Sequence, residues 1–526
     1  MWTNFFQFSE GISSVPLPLL FTFSALSLVL FLLKKRSILF NKPSPPSPRK
    51  LPIIGNLHQL GTYPHRSLRT LAQTHGPIML IHLGSVPVLV ISSATMAREI
   101  MKTHDLVFAD RPSSKINKML LYDHKDVAAA PYGEYWRQTK SICVLHLLSN
   151  RRVQSYAQVR EEETALMIET ITNSCSNSVV NLSEAIVGVT NNVVSRVALG
   201  RKYSPVEGGR NFKELLGEFL SLLGGFDVGD FVPWLGWVNH VTGLYAKVER
   251  VAKEVDDFLE KVVEEHIAGG GVRDDNSKDF VDVLLWIQKE NLAGFSIDRT
   301  CIKAIILDVF AAGTETTYTV VEWAMTELLK HPEIMFKLQT ELRQNATNKS
   351  FITEKDSSEM KYLKAVIKET LRLHPPIPLL VPRISMKAVK LQGFDISART
   401  QVIINAFAIG RDPEFWDRSE EFWPDRFLNS SIDFKGQDFE LIPFGSGRRI
   451  CPGVEFAMKT DELVLANLLY KFDWTLHGVE DFEVIECTGL TIHRKFPLLA
   501  VATPYNCSNC EKMCEPLFML HLFLTI

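Results

Sequence analysis

The chain has 526 residues, 46% hydrophobic and 22% charged, a globular composition with ample material for a large core, which excludes a disordered protein. A net charge of −3, without a long basic run or any interleaving of basic and aromatic residues, excludes a nucleic-acid binder. Eight cysteines scattered along the chain suit a reducing compartment better than a disulfide framework.

The first element is the uncharged run PLPLLFTFSALSLVLFLL, Pro16 to Leu33, followed at once by Lys34, Lys35 and Arg36. Crossing a bilayer takes about 17 to 25 apolar residues, which this run reaches. Its basic flank comes after the apolar run, the reverse of a cleaved signal, so the positive-inside rule leaves the rest of the chain on the cytosolic side. Residues 1–36 are therefore read as a membrane anchor with its basic flank. Residues 37–56, dense in proline, are read as a stiff hinge, 57–505 as one continuous body and 506–526 as a tail.

The stretch PIMLIHLGSVPVLVISS, Pro77 to Ser93, predicts a hairpin about Gly84 and Ser85, hence a small sheet. Helical periodicity then predicts helices over Ala94–Lys102, Tyr135–Leu148, Val153–Thr172, Asn211–Leu223, Tyr245–Ile267, Asp279–Lys289, Asp298–Lys330, Pro332–Asn345 and Ser358–His374. Gly269–Ser277 reads as a flexible surface loop. The helix from Asp298 to Lys330 would be about 50 Å long and must cross the body. The expected architecture is mainly α with a minor β-sheet.

Four segments carry chemistry. In AAGTETT, Ala311 to Thr317, Gly313 costs a helix interior about 1 kcal/mol, and the Thr316 hydroxyl can turn onto the Ala312 carbonyl. Glu315 and Thr316 then place an acid beside an alcohol, the minimum for passing protons to a bound small molecule, although a bent core helix has the same signature. In KETLRLHPP, Glu369 and Arg372 share one helix face, as an exposed pair or as two members of a triad with Arg426 of EEFWPDRF. In PFGSGRRICPG, Cys451 is either a small buried hydrophobe or a thiolate held by a helix start and by Arg448 and Arg449, fit to bind iron.

Taken together, these segments resemble the plant A-type microsomal cytochrome P450 family, from the anchor to about Tyr505. FGSGRRICPG matches the family's haem-ligand signature at Phe444, Gly447, Arg449, Cys451 and Gly453. The resemblance implies the cytochrome P450 fold over 57–505 and iron protoporphyrin IX (haem b) with Cys451 as its axial thiolate. Phe444 would lie against the ligand, and the glycines would let backbone approach the porphyrin. Trp136, Lys140, Arg383 and Arg449 would hold the propionates, Lys140 replacing a frequent Arg. Glu369, Arg372 and Arg426 would form a buried structural triad, with Asp425 where Glu is commoner. Glu315, in place of the more frequent Asp, and Thr316 would serve the activation of dioxygen.

The implied activity is that of an endoplasmic-reticulum monooxygenase with its catalytic domain on the cytosolic face. Its electrons would come from NADPH through NADPH-cytochrome P450 reductase, with cytochrome b5 as an optional second donor. A pocket including Ile305, Phe310, Ala312, Ile377, Leu379, Leu380 and Leu490 is mostly apolar and implies a small terpenoid or phenylpropanoid-derived plant metabolite. A haem-thiolate dehydratase or isomerase, and a haem-binding carrier or sensor, are the alternatives. Cys507, Cys510 and Cys514 in the tail form a CxxC with a further Cys, lacking a fourth ligand at good spacing for zinc.

Overall fold

Arg299–Lys330 forms one helix of 32 residues, begun by Asp298, whose Oδ1 accepts from the Cys301 amide at 2.7 Å. Every residue from Cys301 to Leu307 is buried, so its first turns have no solvent face. Lys303, the one charge in that run, pairs with Asp256 and with Glu260 at 2.9 Å. Among the described residues this is the one helix long and apolar enough to cross a membrane, yet it is the core helix, enclosed by its neighbours.

The computed structural model describes Ser27 and residues 43–174, 179–203, 212–269, 278–291, 297–347, 349–478 and 485–505. The expected anchor run, most of the Gly269–Ser277 loop and the cysteine-bearing tail lie outside the described residues. The principal helices are α1 (Pro64–His75), α2 (Glu134–Ile142), α3 (Ala157–Ser174), α4 (Leu182–Leu199), α5 (Phe212–Leu223), α6 (Leu244–Ala268), α7 (Phe280–Glu290), α8 (Arg299–Lys330), α9 (Pro332–Asn345), α10 (Lys361–Leu373) and α11 (Val454–Lys471). Helix α8 packs on α4, α10 and α11.

The expected hairpin is β1 (Ile78–Leu83) and β2 (Val86–Ile91), antiparallel with Leu80 opposite Leu89. The chain also forms β3 (Val179–Asn181), β4 (Arg383–Ile384), β5 (Val389–Leu391), β6 (Phe394–Ile396), β7 (Gln401–Ile404), β8 (Phe472–Leu476) and β9 (Leu499–Pro504). The main sheet runs β1-β2-β7-β4, with β2 and β7 parallel, and a second sheet runs β3-β9-β8. Strand β2 is covered on both sides: Leu89 and Ile91 join one apolar cluster with Met96 and Phe108, Val88 and Val90 another with Leu68 and Met79.

Several boundaries differ from the periodicity. The helix expected to Leu148 becomes a π-helix over Cys143–Leu147, the one begun at Ala94 turns π over Glu99–Thr103, and Val153–Thr172 is interrupted at Tyr156. The helix expected from Ser358 starts at Lys361, after a separate turn Glu354–Ser357 capped reciprocally by Thr353 and Asp356. The proline-rich segment expected as a hinge is, from residue 43, tied to the body: the Pro43 carbonyl accepts from Asp395 at 2.7 Å and that of Pro46 from Leu80 at 2.8 Å.

Asp461 of α11 is 1% exposed, and neither of its carboxyl oxygens has a hydrogen-bond partner. Burial, and then Glu462 beside it, push its carboxyl well above the usual range. In the unfolded chain the group ionises above about pH 3.9, whereas in the fold it stays protonated. The unfolded state then binds fewer protons, so stability falls as pH rises from there through the raised folded value. Replacing an unsatisfied polar group that costs about 1–3 kcal/mol, Asp461→Val is expected to raise the urea midpoint at pH 8 and to flatten the decline between pH 5 and 8. An unchanged slope would mean that Asp461 is hydrogen-bonded in solution.

Candidate active site

Within the buried middle of α8, Asp308, Val309, Ala312, Gly313, Glu315 and Thr316 keep accessible surface. Residues 308, 312 and 316 lie four apart and make one stripe. Thr316 Oγ1 donates to the Ala312 carbonyl at 2.6 Å, the bond its mid-helix position implies. The helix stays continuous there, so the notch is made by the small side chains of Ala312 and Gly313 rather than by an opened turn. Gly313 also admits α4, because a Cβ on it would lie 3.3 Å from Val194 Cγ2. The Glu315 carboxyl bonds to Thr491 Oγ1 at 3.1 Å. Burial raises it above the ordinary range, against the pull of His493 and the Thr491 bond.

Cys451 closes a tight loop, its amide donating to the Phe444 carbonyl at 3.0 Å. Its Sγ accepts from the Gly453 amide at 3.3 Å, one residue before α11 begins. Phe444 packs edge-on to Phe434 at 5.6 Å. The glycine that this loop requires is Gly447, at φ +70°, where a Cβ would meet the Met101 carbonyl oxygen at 2.2 Å; its close approach is to protein backbone.

Cys451 keeps accessible surface. Helix α11, which begins just after Cys451, packs on α8, the helix that carries the stripe. Within the protein alone, burial pushes the Cys451 thiol up, against the Gly453 amide and Lys140. Arg448 and Arg449, expected to help, are not among the groups acting on this thiol, and their guanidinium groups bond to other partners. Arg448 pairs with Asp105 at 3.3 Å, and Arg449 donates to the carbonyls of Ala109, Val127 and Ala130 at 2.7, 3.2 and 2.6 Å. A coordinating metal would itself deprotonate the thiol.

Beside this loop four cations crowd together. Arg383 donates to the Ser446 carbonyl at 2.7 Å, and Arg111 to those of Ala128, Val381 and Pro382 at 2.9, 2.6 and 2.7 Å. Lys140 donates to the carbonyls of Arg448 and, at 3.3 Å, Ile450. Burial lowers Arg383 to about 10. Burial and then Arg383 lower Arg449 to about 10, and burial and then Arg449 lower Lys140 to about 8. The Trp136 indole N–H, expected to reach a propionate, is bonded to the Val127 carbonyl at 3.1 Å, and its ring lies 4.1 Å from the Arg449 guanidinium carbon. A thiol with accessible surface at a helix start, beside buried cations held largely by backbone carbonyls with Asp105 3.5 Å from Arg383, fits a metal-centred group bearing two carboxylates.

Glu369 and Arg372 have 0% and 1% exposure, which removes the surface-pair alternative. Arg372 Nε and Nη2 donate to the two Glu369 oxygens at 2.7 and 2.8 Å, and Arg426 Nε adds a bond of 3.1 Å. The Trp423 amide reaches the same carboxylate at 2.7 Å. Arg372 also holds the carbonyls of Gly410, Ser419 and Glu421 at 2.6, 2.6 and 2.9 Å, pinning that loop to α10. Asp425 turns away, to Lys337 and to Tyr362 Oη at 3.3 Å. Breaking a buried pair costs about 3–5 kcal/mol, so Glu369→Ala is expected to lower the denaturant midpoint strongly and to abolish recovery of cofactor-loaded protein. A wild-type midpoint would show the triad to be dispensable.

The expected pocket residues separate. Ile305 (0%) and Phe310 (1%) have no surface with which to touch a ligand and belong to the helical core, while Leu380 packs among Leu89 and Val402 of the main sheet. Ala312, Ile377, Leu379 and Leu490 keep surface, Leu490 close under Gly224 after α5. Arg111 and Asp126 escaped sequence reasoning, whereas Asp308 and Thr491 fell inside expected pocket segments, 305–312 and 488–492, without being singled out. Asp308 had a signal, one turn before Ala312 on the same face. Its carboxylate takes the amides of Val127 and Ala128, and burial, then Asp126, push it up.

Comparison with known proteins agrees with this geometry. A family profile described as Cytochrome P450 matches residues 45–500. Cytochrome P450 736A117 of Prunus mume is 60% identical over 94% of this chain and 97% of its own length. Cytochrome P450 71A4 of Solanum melongena is 57% identical over 88% and 93%. Norfluorocurarine oxidase of Strychnos is 51% identical over 91% and 97%. A zebrafish cytochrome P450 solved with abiraterone superposes with a TM-score of 0.72 at 23% identity, over 85% of this chain and all of that one, a likeness of fold. The chain therefore belongs to the cytochrome P450 family, among its plant A-type members, which are haem-thiolate monooxygenases.

Proposed function

We propose that this monooxygenase inserts one oxygen atom into a small, largely apolar plant metabolite, of terpenoid or phenylpropanoid origin, held against the Ala312 stripe, Ile377, Leu379 and Leu490. The observation that supports this is the accessible stretch at Ala312 and Gly313 in the otherwise buried helix α8, which packs on the helix that begins after Cys451. Cys451 is the iron ligand in this reading, and Arg383, Arg449 and Lys140 face the carboxylates, with Trp136 as the platform beneath Arg449. Bound haem supplies the reductive cleavage of dioxygen.

The protein's own part is to exclude water and to deliver protons. Thr316, its hydroxyl proton resting on the Ala312 carbonyl, keeps its lone pairs free to accept, and Glu315 is the neighbouring acid. General acid–base assistance is worth about 10²- to 10⁴-fold. Thr316→Ala is expected to leave haem loading near normal while product per NADPH falls several-fold and hydrogen peroxide rises. An unchanged ratio would remove Thr316 from the mechanism, and turnover without NADPH or dioxygen would favour a dehydratase or isomerase.

A redox partner belongs to the family's chemistry, and NADPH-cytochrome P450 reductase, with cytochrome b5 as a second donor, is the partner in this reading. The body is placed on the cytosolic face of the endoplasmic reticulum, anchored by Pro16–Leu33. An exposed apolar face supports contact with the bilayer. Trp234 (63%), Trp237 (60%) and Val241 (76%) lie beyond α5, and Ile53 is 61% exposed. The β1–β2 turn joins the two segments, the Phe231 carbonyl accepting from the Ser85 amide at 2.9 Å and that of Ile54 from the Gly84 amide at 3.1 Å. Exposed Trp at a membrane face sits at headgroup level. In lipid nanodiscs, Trp234→Ser/Trp237→Ser is expected to weaken tryptophan quenching by brominated acyl chains; equal quenching removes this face from the bilayer.

A further inference from the structure

Residues 485–495 form a strap across α8, closed by the bonds of the Cys487 amide to the His493 carbonyl at 2.8 Å and of the Lys495 amide to the Ile485 carbonyl at 2.9 Å. It is fastened at both ends and in the middle. Glu486 takes His65 Nε2 at 3.1 Å and Arg66 Nε and Nη2 at 2.9 and 2.7 Å. The Ile492 amide donates to the Pro376 carbonyl at 2.9 Å, its carbonyl accepts from Trp323 Nε1 at 2.9 Å, and the Arg494 amide donates to Glu322 Oε2 at 3.2 Å. The alternate residues, Thr491 and His493, are thereby presented to α8.

There Thr491, 5% exposed, meets the Glu315 carboxyl at 3.1 Å, and the His493 ring lies 5.6 Å from that of Tyr318, one turn further along α8. Among the described residues, Thr491 is the side chain bonded to the Glu315 carboxyl. A hydroxyl both donates and accepts, so it can keep hold of this acid whether the acid is ionised or protonated, which an amide N–H or an ammonium cannot. The other titratable groups facing this junction are Tyr318 and Glu322 on α8 and Cys487, His493 and Arg494 on the strap.

We propose that Thr491 is the positioning residue for Glu315, holding its carboxyl in place through a cycle of proton release and uptake. This rests on the role given to Glu315 and Thr316 above. Burial raises the Glu315 carboxyl, while His493 and the Thr491 bond draw it down, so loss of either should raise it further.

The test uses the full haem-loaded chain in membranes containing the reductase. The protonated-carboxyl infrared band that disappears in Glu315→Gln is titrated, and product per NADPH is measured alongside haem content. Thr491→Val is expected to raise the midpoint of that band. Thr491→Val should also lower product per NADPH several-fold at unchanged haem content, with Thr491→Ser restoring both. Should Thr491→Val fail to load haem, Thr491→Ala, which removes the hydroxyl without adding bulk, and Thr491→Ser carry the comparison, and a wild-type midpoint and coupling in Thr491→Ala overturn the proposal. Wild-type midpoint and coupling in Thr491→Val, with Glu315→Gln uncoupled, overturn the proposal and leave the acid's role standing. Wild-type coupling in Glu315→Gln overturns that role and this proposal with it.

Discussion

The Glu369 carboxylate has no accessible surface, and its charge can be kept in the interior only because two guanidinium groups and one backbone amide satisfy it. Arg372 uses its remaining donors on three carbonyls of the loop 410–421, so one buried pair converts helix α10 into a template for irregular chain. That loop leads to the Cys451 turn and thence to α11. The same helix is fixed to α8 by His374, stacked on Trp323 at 4.2 Å and bonded to Glu327 at 2.9 Å. Loop, thiol and the long helix α8 are thus referred to one frame, whose cost of charge burial is met locally.

A second constraint is electrostatic. Three arginines and a lysine lie where their own burial and mutual repulsion disfavour them, and backbone carbonyls supply most of their partners. Carbonyl dipoles hold guanidinium groups in direction without neutralising them, so positive potential persists for an incoming dianion. The segment 126–130 joins this cluster to the stripe: its amides grip Asp308 while its carbonyls hold Arg449, Arg111 and Trp136.

The chemistry was legible where covalent necessity shortens the alphabet. A thiol before a helix, a Gly-Thr cluster inside a helix and an acid three residues before an arginine stand out because each is unfavourable without a purpose, and the structure brings the triad together as read. The fold was legible wherever periodicity met a cap, as at Asp298 and Asp279. Helix α4 was not read. Its valines, threonine and paired asparagines are poor helix formers, and burial against α8 rather than propensity makes it a helix. The pocket was the least legible part, since a run of apolar residues does not say which side chains fill the core and which face a cavity. Ile305 and Ala312 lie two turns apart on one helix and have opposite fates.

Strand β9 lies between β3 and β8, and the two outer strands have no contact with each other in that sheet. The Leu498 carbonyl accepts from the Leu182 amide at 2.9 Å and the Leu498 amide donates to Ser183 Oγ at 2.8 Å, across 315 residues of sequence. The helix that presses Val194 against Gly313 is therefore tied at its first turn by a stretch that leaves the ribosome long afterwards. During synthesis both α4 and α8 leave the ribosome before this fastening can form, so for a period α8 can have a neighbour without a mooring. Such late closure of a long loop is slow, and it gives chaperones and the incoming prosthetic group a shared interval in which to act.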